Sequence, residues 1–350
     1  MIHQFYMDSA SKSFWSKNPC SPRWFDTLGQ MWSGAPPRLL ETVKTNHRNV
    51  LPTGVTLKTA EQGDLPAIIE FWTRYFSITK SCKSAVPLSH LRKMVLEGKW
   101  DVLILVGGDG DVLASLVRRK LVGLHVGKAR WAEAGCIDYY CVHPAWRRRG
   151  LGRALLNAIH NMTPSPIPPH LIFWESLRPS VPPLVAGSFF ARKCGAQGAQ
   201  GAQGQAIQIT DPEICKAAWR DCVKGVDVWT EGWGEEVSFW RGGGGGLGPK
   251  DVVVVWNTFH QALGGSVGIV LGCAAAEAAK AQGAKAAAAT ALADSKSPWG
   301  VLLLPRPIPF TQFGGDGGAP EGWVYDSLFQ WIGYNLSVGF ISGKFPVLGF

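Results

Sequence analysis

The sequence predicts an α+β protein in which mixed sheets are flanked by helices and the chain divides into two domains. Three observations predict it. Short alternating or continuous apolar runs are interspersed with segments whose apolar residues recur every three to four positions. The 350 residues are enough for about two domains of ordinary size. The composition also breaks at residues 195–203, three copies of Gly-Ala-Gln, which cannot form a core.

Residues 1–50 read as irregular, with Phe14–Trp15 and Trp24–Phe25 as aromatic anchors. An alternating strand is expected at Gly54–Lys58, then an acidic cap at Glu61–Asp64. The helix it opens, Leu65–Phe76, sets Ile68, Ile69, Trp72 and Tyr75 on one stripe. A second helix is expected at Leu88–Leu96 and a buried strand at Val102–Val106. The turn residues Gly107-Gly-Asp-Gly110 lead to a partner strand at Val112–Val117. Cys136–Val142 is a further strand, Leu151–Met162 a helix ended by Pro164, and Leu171–Trp174 a closing strand. Beyond the repeat, strands are expected at Ala206–Ile209, Val252–Trp256, Val267–Leu271, Val301–Leu304 and Leu328–Asn335. The five glycines at 242–246 read as a surface loop, and the alanine-rich tract 274–293 as helix interrupted at Gly283. The domains are thus 1–194 and 205–350, joined by a linker at 195–204.

An apolar fraction of 46% against 17% charged residues excludes a disordered chain. The net charge of +9 suits a polyanionic partner or simply solubility. No basic stripe with interleaved aromatics is present, so nucleic acid is not expected as a partner. The eight cysteines include no C-x-x-C pair, and no metal is expected. The first residues lack a charged segment followed by an apolar run, and free thiols fit a cytoplasmic protein. Residues 252–276 contain no Asp, Glu, Lys or Arg. Asn257, His260, Gln261 and Gly264–Gly265 within them favour two buried strands and a turn over a membrane span.

The chemistry concentrates at residues 136–162. Strand Cys136–Val142 is apolar or aromatic apart from Asp138, so both its faces are expected to be covered. Pro144 ends it. Arg147-x-x-Gly150-x-Gly152 then opens an amphipathic helix with Leu151, Leu155, Ala158, Ile159 and Met162 on its buried face. Glycines let a backbone approach an anion closely, and a helix start offers unpaired amides and a positive dipole end. With Arg147, Arg148, Arg149 and Arg153 around it, this is a pyrophosphate seat. A basic helix cap is the alternative.

This pattern resembles motif A of the GNAT acyltransferase superfamily, which has Gln/Arg-x-x-Gly-x-Gly/Ala at this place. Ile137-Asp-Tyr-Tyr-Cys-Val-His143 is similar to the Ile-Asn-Phe-Leu-Cys-Val-His strand of glycylpeptide N-myristoyltransferases, a two-unit family of that superfamily. Ser13-Phe14-Trp15 resembles the Phe-Trp segment near that family's acyl-CoA, and Leu51-Pro-Thr-Gly54 falls where expected. Glu235-Glu-Val-Ser-Phe-Trp240 resembles its Glu-Glu-Val-x-His-Trp. Asp326-Ser327, Gln330 and Tyr334-Asn335 can be laid on its Gly-Asp-Gly-x-Leu-Gln-Tyr-Tyr-Leu-Tyr-Asn-Trp, with Gly315-Asp-Gly317 as a competing anchor.

The resemblance implies two tandem GNAT-like units and transfer of an acyl group, myristoyl or acetyl, from acyl-CoA to an amine. The acceptor would be a peptide or protein N-terminus, glycine in the myristoyl case, or a small amine. It places coenzyme A against Phe14, Trp15, Val142, Arg147, Arg148, Arg149, Gly150, Leu151, Gly152 and Arg153, and the acceptor near Asp326 and Tyr334. The backbone amides of Tyr139 and Tyr140 would form an oxyanion hole, a core tyrosine pair being the alternative. The Phe350 carboxylate would be the base, against an ordinary edge strand. An amine of pKa about 8 and a carboxyl of about 3.5 stand roughly 6 kcal/mol apart for proton transfer, a gap that burial narrows. His143, beside Pro144, is expected to be structural. One departure bears on chain length: myristoyltransferases have Arg-Ser-Lys-Arg-(Leu/Val)-Ala where this chain has Arg147-Arg-Arg-Gly-Leu-Gly152, the version common in acetyltransferases.

Overall fold

The computed structural model describes residues 20–41, 49–79, 82–163, 167–174, 181–194, 206–241, 252–262, 265–274, 282–294, 298–307, 319–336 and 338. In chain order the elements are α1 (Trp24–Ser33), β1 (Thr56–Thr59), α2 (Leu65–Tyr75), β2 (Ser77–Thr79), β3 (Cys82–Ser84), α3 (Leu88–Leu96), β4 (Trp100–Val106), β5 (Val112–Val126), β6 (Ala129–Val142), α4 (Leu151–Met162), β7 (His170–Trp174) and β8 (Val185–Lys193). After residue 205 come β9 (Ile207–Ile209), α5 (Pro212–Val223), β10 (Val228–Thr230), β11 (Val237–Arg241), β12 (Val252–Ala262), β13 (Gly265–Ala274), α6 (Gln282–Asp294), β14 (Val301–Pro307) and β15 (Val324–Tyr334).

The strands form one mixed sheet, ordered β1-β4-β5-β6-β7-β15-β8-β14-β13-β12-β11-β9 along its main path. Read from both ends, this order is a palindrome. β1 answers to β9, β4 to β11, β5 to β12, β6 to β13, β7 to β14 and β8 to β15. Among the described residues, each half has one parallel pair joined through a helix: β6–α4–β7 and β13–α6–β14. The last strand of each half crosses to the centre, β15 lying between β7 and β8, and β8 between β15 and β14. Two tandem α+β units therefore share a continuous sheet, and the exchanged strands join their cores. Covered on both faces at β12, the sheet tolerates the uninterrupted apolar run Val252–Trp256, five buried residues in succession.

Local chemistry explains most elements. α2 starts after an acidic capping box at Glu61 and Asp64, has Pro66 in its first turn, and buries Leu65, Ile68, Phe71 and Trp72. The charge-free stretch 252–276 supplies the antiparallel pair β12–β13. Among the described residues, no helix is long and apolar enough to cross a membrane. Three differences from expectation stand out. α1 occupies part of the segment read as irregular, with Phe25, expected as an anchor, turned to solvent, as is Trp32. β5 and β6 are fifteen and fourteen residues long, well beyond the expected strands Val112–Val117 and Cys136–Val142. α5, unread in the sequence, begins at Asp211, whose carboxylate accepts from the Glu213 and Ile214 amides, with Pro212 next.

Two histidines are fully buried in the sheet. The His170 ring covers Gly135, where an added Cβ would strike it. His260 Nδ1–H donates to the Thr258 carbonyl at 2.6 Å. Burial holds each at about 3, well below 6.5, with Arg118 adding to the effect at His170 and Arg119 at His260. Both stay neutral in the fold, whereas the unfolded chain protonates them near pH 6.5. Their contribution is whole above pH 6.5 and is lost as pH falls towards 3, at about 1.36 kcal/mol per pH unit for each histidine. Denaturant midpoints measured from pH 7 to pH 4 should fall accordingly, and His170→Asn and His260→Asn should each flatten the slope.

Candidate active site

β6 carries the site. Its register against β5 slips between Ser115↔Cys141 and Val117↔Asp138, so Tyr139 and Tyr140 together face Leu116 in a β-bulge. Tyr139 adopts φ +47°, a left-handed conformation costly for a bulky residue. Three hydrogen bonds hold it there. Ser115 Oγ donates to the Tyr139 carbonyl at 3.1 Å, Trp72 Nε1 donates to Ser115 Oγ at 2.8 Å, and the Tyr139 amide donates to Asp138 Oδ1 at 2.7 Å. The Tyr139 ring stacks on Trp72, centroids 4.2 Å apart.

At this bulge the sheet opens. The parallel ladder between β6 and β7 comprises Gly135↔His170, Cys136↔Leu171 and Ile137↔Ile172. Both strands continue beyond it, to Val142 and Trp174, paired with β5 and β15 but not with each other. Their carboxyl-terminal ends part, and the bulge lies on the edge of the gap.

The turn after Val142 completes the site. His143 Nδ1 accepts from the Ala145 amide at 3.2 Å and its Nε2 lies 3.0 Å from the Tyr75 hydroxyl, so both ring nitrogens brace the turn. Pro144–Trp146 form one 3-10 turn. Arg147 Nε donates to the Val142 carbonyl at 3.2 Å, and the Arg149 guanidinium lies 4.7 Å from the centre of the Trp146 ring. Arg148 and Gly150 take φ of +63° and +82°, and Gly150 is the N-cap of α4 with no side chain capping the helix. A Cβ placed on Gly150 meets no described atom within 4 Å, whereas one on Gly152 would run into the Tyr140 hydroxyl. Arg147, Arg148, Arg149 and Arg153 are exposed. Among the described residues the helix start is left open, with four exposed arginines on and beside the turn, and that suits a diphosphate.

A buried ion network ties the bulge to the second unit. Arg119 of β5, 2% exposed, pairs with Asp138 Oδ2 at 2.8 Å and with Glu236. Its guanidinium lies over the Trp100 ring at 4.3 Å. Glu236 also meets His90 Nε2 at 3.2 Å and accepts from Trp256 Nε1 at 3.2 Å. Burial raises the Asp138 carboxyl despite Arg119. Burial acts on Glu236 as well, but Arg119, His90 and Trp256 overcome it and hold that carboxyl below its ordinary value. One cation serves two carboxylates, and Glu236 has the larger share.

Residues 72–161, from within α2 almost to the end of α4, match the sequence model of the acetyltransferase (GNAT) family. This stretch is a GNAT domain. The whole chain is similar in structure to Saccharomyces cerevisiae N-myristoyltransferase with bound myristoyl-CoA, with a TM-score of 0.61 at 11% identity, over 93% of this chain and 94% of that one. A second structure of the yeast enzyme, with bound myristoyl-CoA and inhibitors, gives a TM-score of 0.62 at 10% identity, over 97% and 92%. At such identity the likeness establishes the two-unit fold. No curated protein sequence matches the chain.

The GNAT domain differs from its counterpart in the second unit. β13 has its own bulge at Leu271, between Val254↔Gly272 and Val255↔Val270. There, Lys285 Nζ of α6 donates to the Leu271 carbonyl at 3.1 Å, and residues 275–281, which connect β13 to α6, contain no Arg-x-x-Gly-x-Gly.

Of the residues the sequence singled out, Tyr139, Tyr140, Val142, Arg147–Arg149, Gly150, Leu151, Gly152 and Arg153 come together in the GNAT domain along the bulge and the turn. Leu151 is buried beneath the turn, in the core. Tyr334, expected at the acceptor, is fully buried in that same core. Asp326 sits at a bulge of β15 between Tyr325 and Ser327 and accepts from Ser327 Oγ at 2.9 Å. Because β15 runs antiparallel to β7, Asp326 lies towards the end where β6 and β7 part. Phe14, Trp15 and Phe350 lie outside the described residues. Sequence reasoning missed Arg119, Ser115 and His90, whose roles depend on partners distant in the chain.

Proposed function

We propose that the protein is an acyl-CoA-dependent N-acyltransferase that passes a fatty acyl group, myristoyl, directly from the thioester to an N-terminal glycine amine. The opening between β6 and β7 beside a glycine-opened helix start carries this reading. The diphosphate of coenzyme A sits on the first turn of α4 among Arg147, Arg148, Arg149 and Arg153, and the thioester enters the gap past Val142. Charge developing on the thioester oxygen is stabilised by bulge amides. The Tyr139 amide would exchange the Asp138 carboxylate for that oxygen. Residues 1–194 bind the acyl donor, and residues 205–350 frame the acceptor, with Asp326 near the opening.

An N-acetyltransferase acting on a protein or small amine is the second reading, favoured by glycine at both 150 and 152 and by the acetyltransferase family match. A panel of acyl-CoA chain lengths, offered with a glycine-starting peptide, an internal-lysine peptide and a small amine, tests both. The highest kcat/KM is expected for myristoyl-CoA with the glycine peptide. A preference for acetyl-CoA would replace the first reading with the second. Absence of both acyl-CoA binding and transfer would reject the two together.

A further inference from the structure

Away from the bulge, three side chains from two remote segments converge at the end of α4 opposite the anion seat. Cys20 precedes α1, Glu41 follows it, and His160 lies in the last turn of α4. Cys20 Sγ lies 3.1 Å from Glu41 Oε2 and 3.3 Å from His160 Nδ1. One ligand atom from each, a sulfur, an oxygen and a nitrogen, lie within 4.8 Å of one another. We propose that Cys20, Glu41 and His160 bind a divalent metal ion of the zinc class.

Zinc lies about 2.0–2.3 Å from nitrogen, oxygen and sulfur ligands, so tetrahedral ligands stand about 3.4 Å apart. The two sulfur distances are already close to that edge. The donor set also selects the metal, since thiolate with imidazole and carboxylate suits a borderline cation and not magnesium or calcium. A thiolate and a carboxylate neutralise a divalent ion, as burial requires.

The backbone presets the site. Asn335, at φ +55°, donates from its amide to the Cys20 carbonyl at 2.6 Å, while its Oδ1 accepts from the Glu41 amide at 2.7 Å. Its Nδ2 donates to the carbonyls of Glu41 and Ile167 at 3.0 and 2.9 Å. Cys20 and His160 are fully buried, so no substrate reaches the thiol and a hydrolytic Cys-His-Glu triad does not fit. The Glu41 side chain is 11% exposed, the side from which an ion enters and where water fills a fourth position. A metal here would clamp the N-terminal arm to the helix whose other end opens the anion seat.

Full-length protein, freed of metal with a chelator, should bind one equivalent of cobalt(II) with a thiolate-to-cobalt absorption in the near ultraviolet. Zinc(II) should displace the cobalt and raise the melting temperature. Cys20→Ser should abolish the absorption, and His160→Gln and Glu41→Gln should each weaken zinc binding at least about tenfold, the loss expected when metal-site partners are removed. Glu41→Gln, at the most exposed of the three positions, gives an answer even if a core variant fails to fold. No stoichiometric cobalt, or equal zinc affinity in wild type and Glu41→Gln, would overturn the site.

Discussion

Glutamate in place of Gly150 should weaken coenzyme A binding by about 100-fold or more, equivalent to about 2.7 kcal/mol, while leaving the protein folded. Gly150 holds φ +82°, a conformation costing other L-residues roughly 1–2 kcal/mol. No described atom crowds an added Cβ, so that backbone strain is the main cost to the fold. The cost to binding is larger. A carboxylate at the N-cap takes for itself the amides and dipole that would hold a phosphate, and it repels the diphosphate at close range. Gly150→Asn is the control, because asparagine tolerates a left-handed φ and adds no charge. Titration calorimetry with coenzyme A separates the two variants, and unchanged affinity in Gly150→Glu would mean that no phosphate sits on this helix.

That turn was legible in the sequence because its parts are neighbours. A covered strand, a proline stop, two glycines and an apolar helical stripe all fall within residues 136–162. The long hairpin β5–β6 was not, for a physical reason. Arg118-Arg119-Lys120 looks like a solvated end to a strand at Val117, and only partners elsewhere make the continuation stable. Glu236 is 117 positions from Arg119, and nothing local announces that a cation is buried there. The palindromic strand order was hidden likewise, since the exchange of β8 and β15 is a pairing between halves. α5 is a different case. Asp211 followed by Pro212 is a local helix start, a signal carried in the sequence close to the low-complexity insert. Tyr334 is different again, because a motif position carried over by resemblance says nothing of which way the side chain points, and here it is buried in the core.

Arg119→Met should destabilise the protein by about 3–5 kcal/mol, the usual consequence of stripping one partner from a buried ion pair. Methionine keeps the length that packs over Trp100 but leaves Asp138 and Glu236 without their cation. Each carboxyl then titrates above its unfolded value in the folded state, so the deficit grows as pH rises and shrinks in acid. In wild type Arg119 limits that penalty to Asp138, which burial still raises, while Glu236 is held below its ordinary value. Adding Asp138→Asn and Glu236→Gln to Arg119→Met should recover much of the loss, since neutral amides need no counterion, and urea midpoints of the single and triple variants measure it. The same change reaches the chemistry. Asp138 accepts from the Tyr139 amide at 2.7 Å, so an unanchored Asp138 lets the bulge relax, while the α4 turn is held separately by His143 and Arg147. Turnover should therefore fall with coenzyme A affinity nearly unchanged. A single variant that lost under about 1 kcal/mol, the worth of an exposed ion pair, would show that the second unit does not hold the bulge through this network.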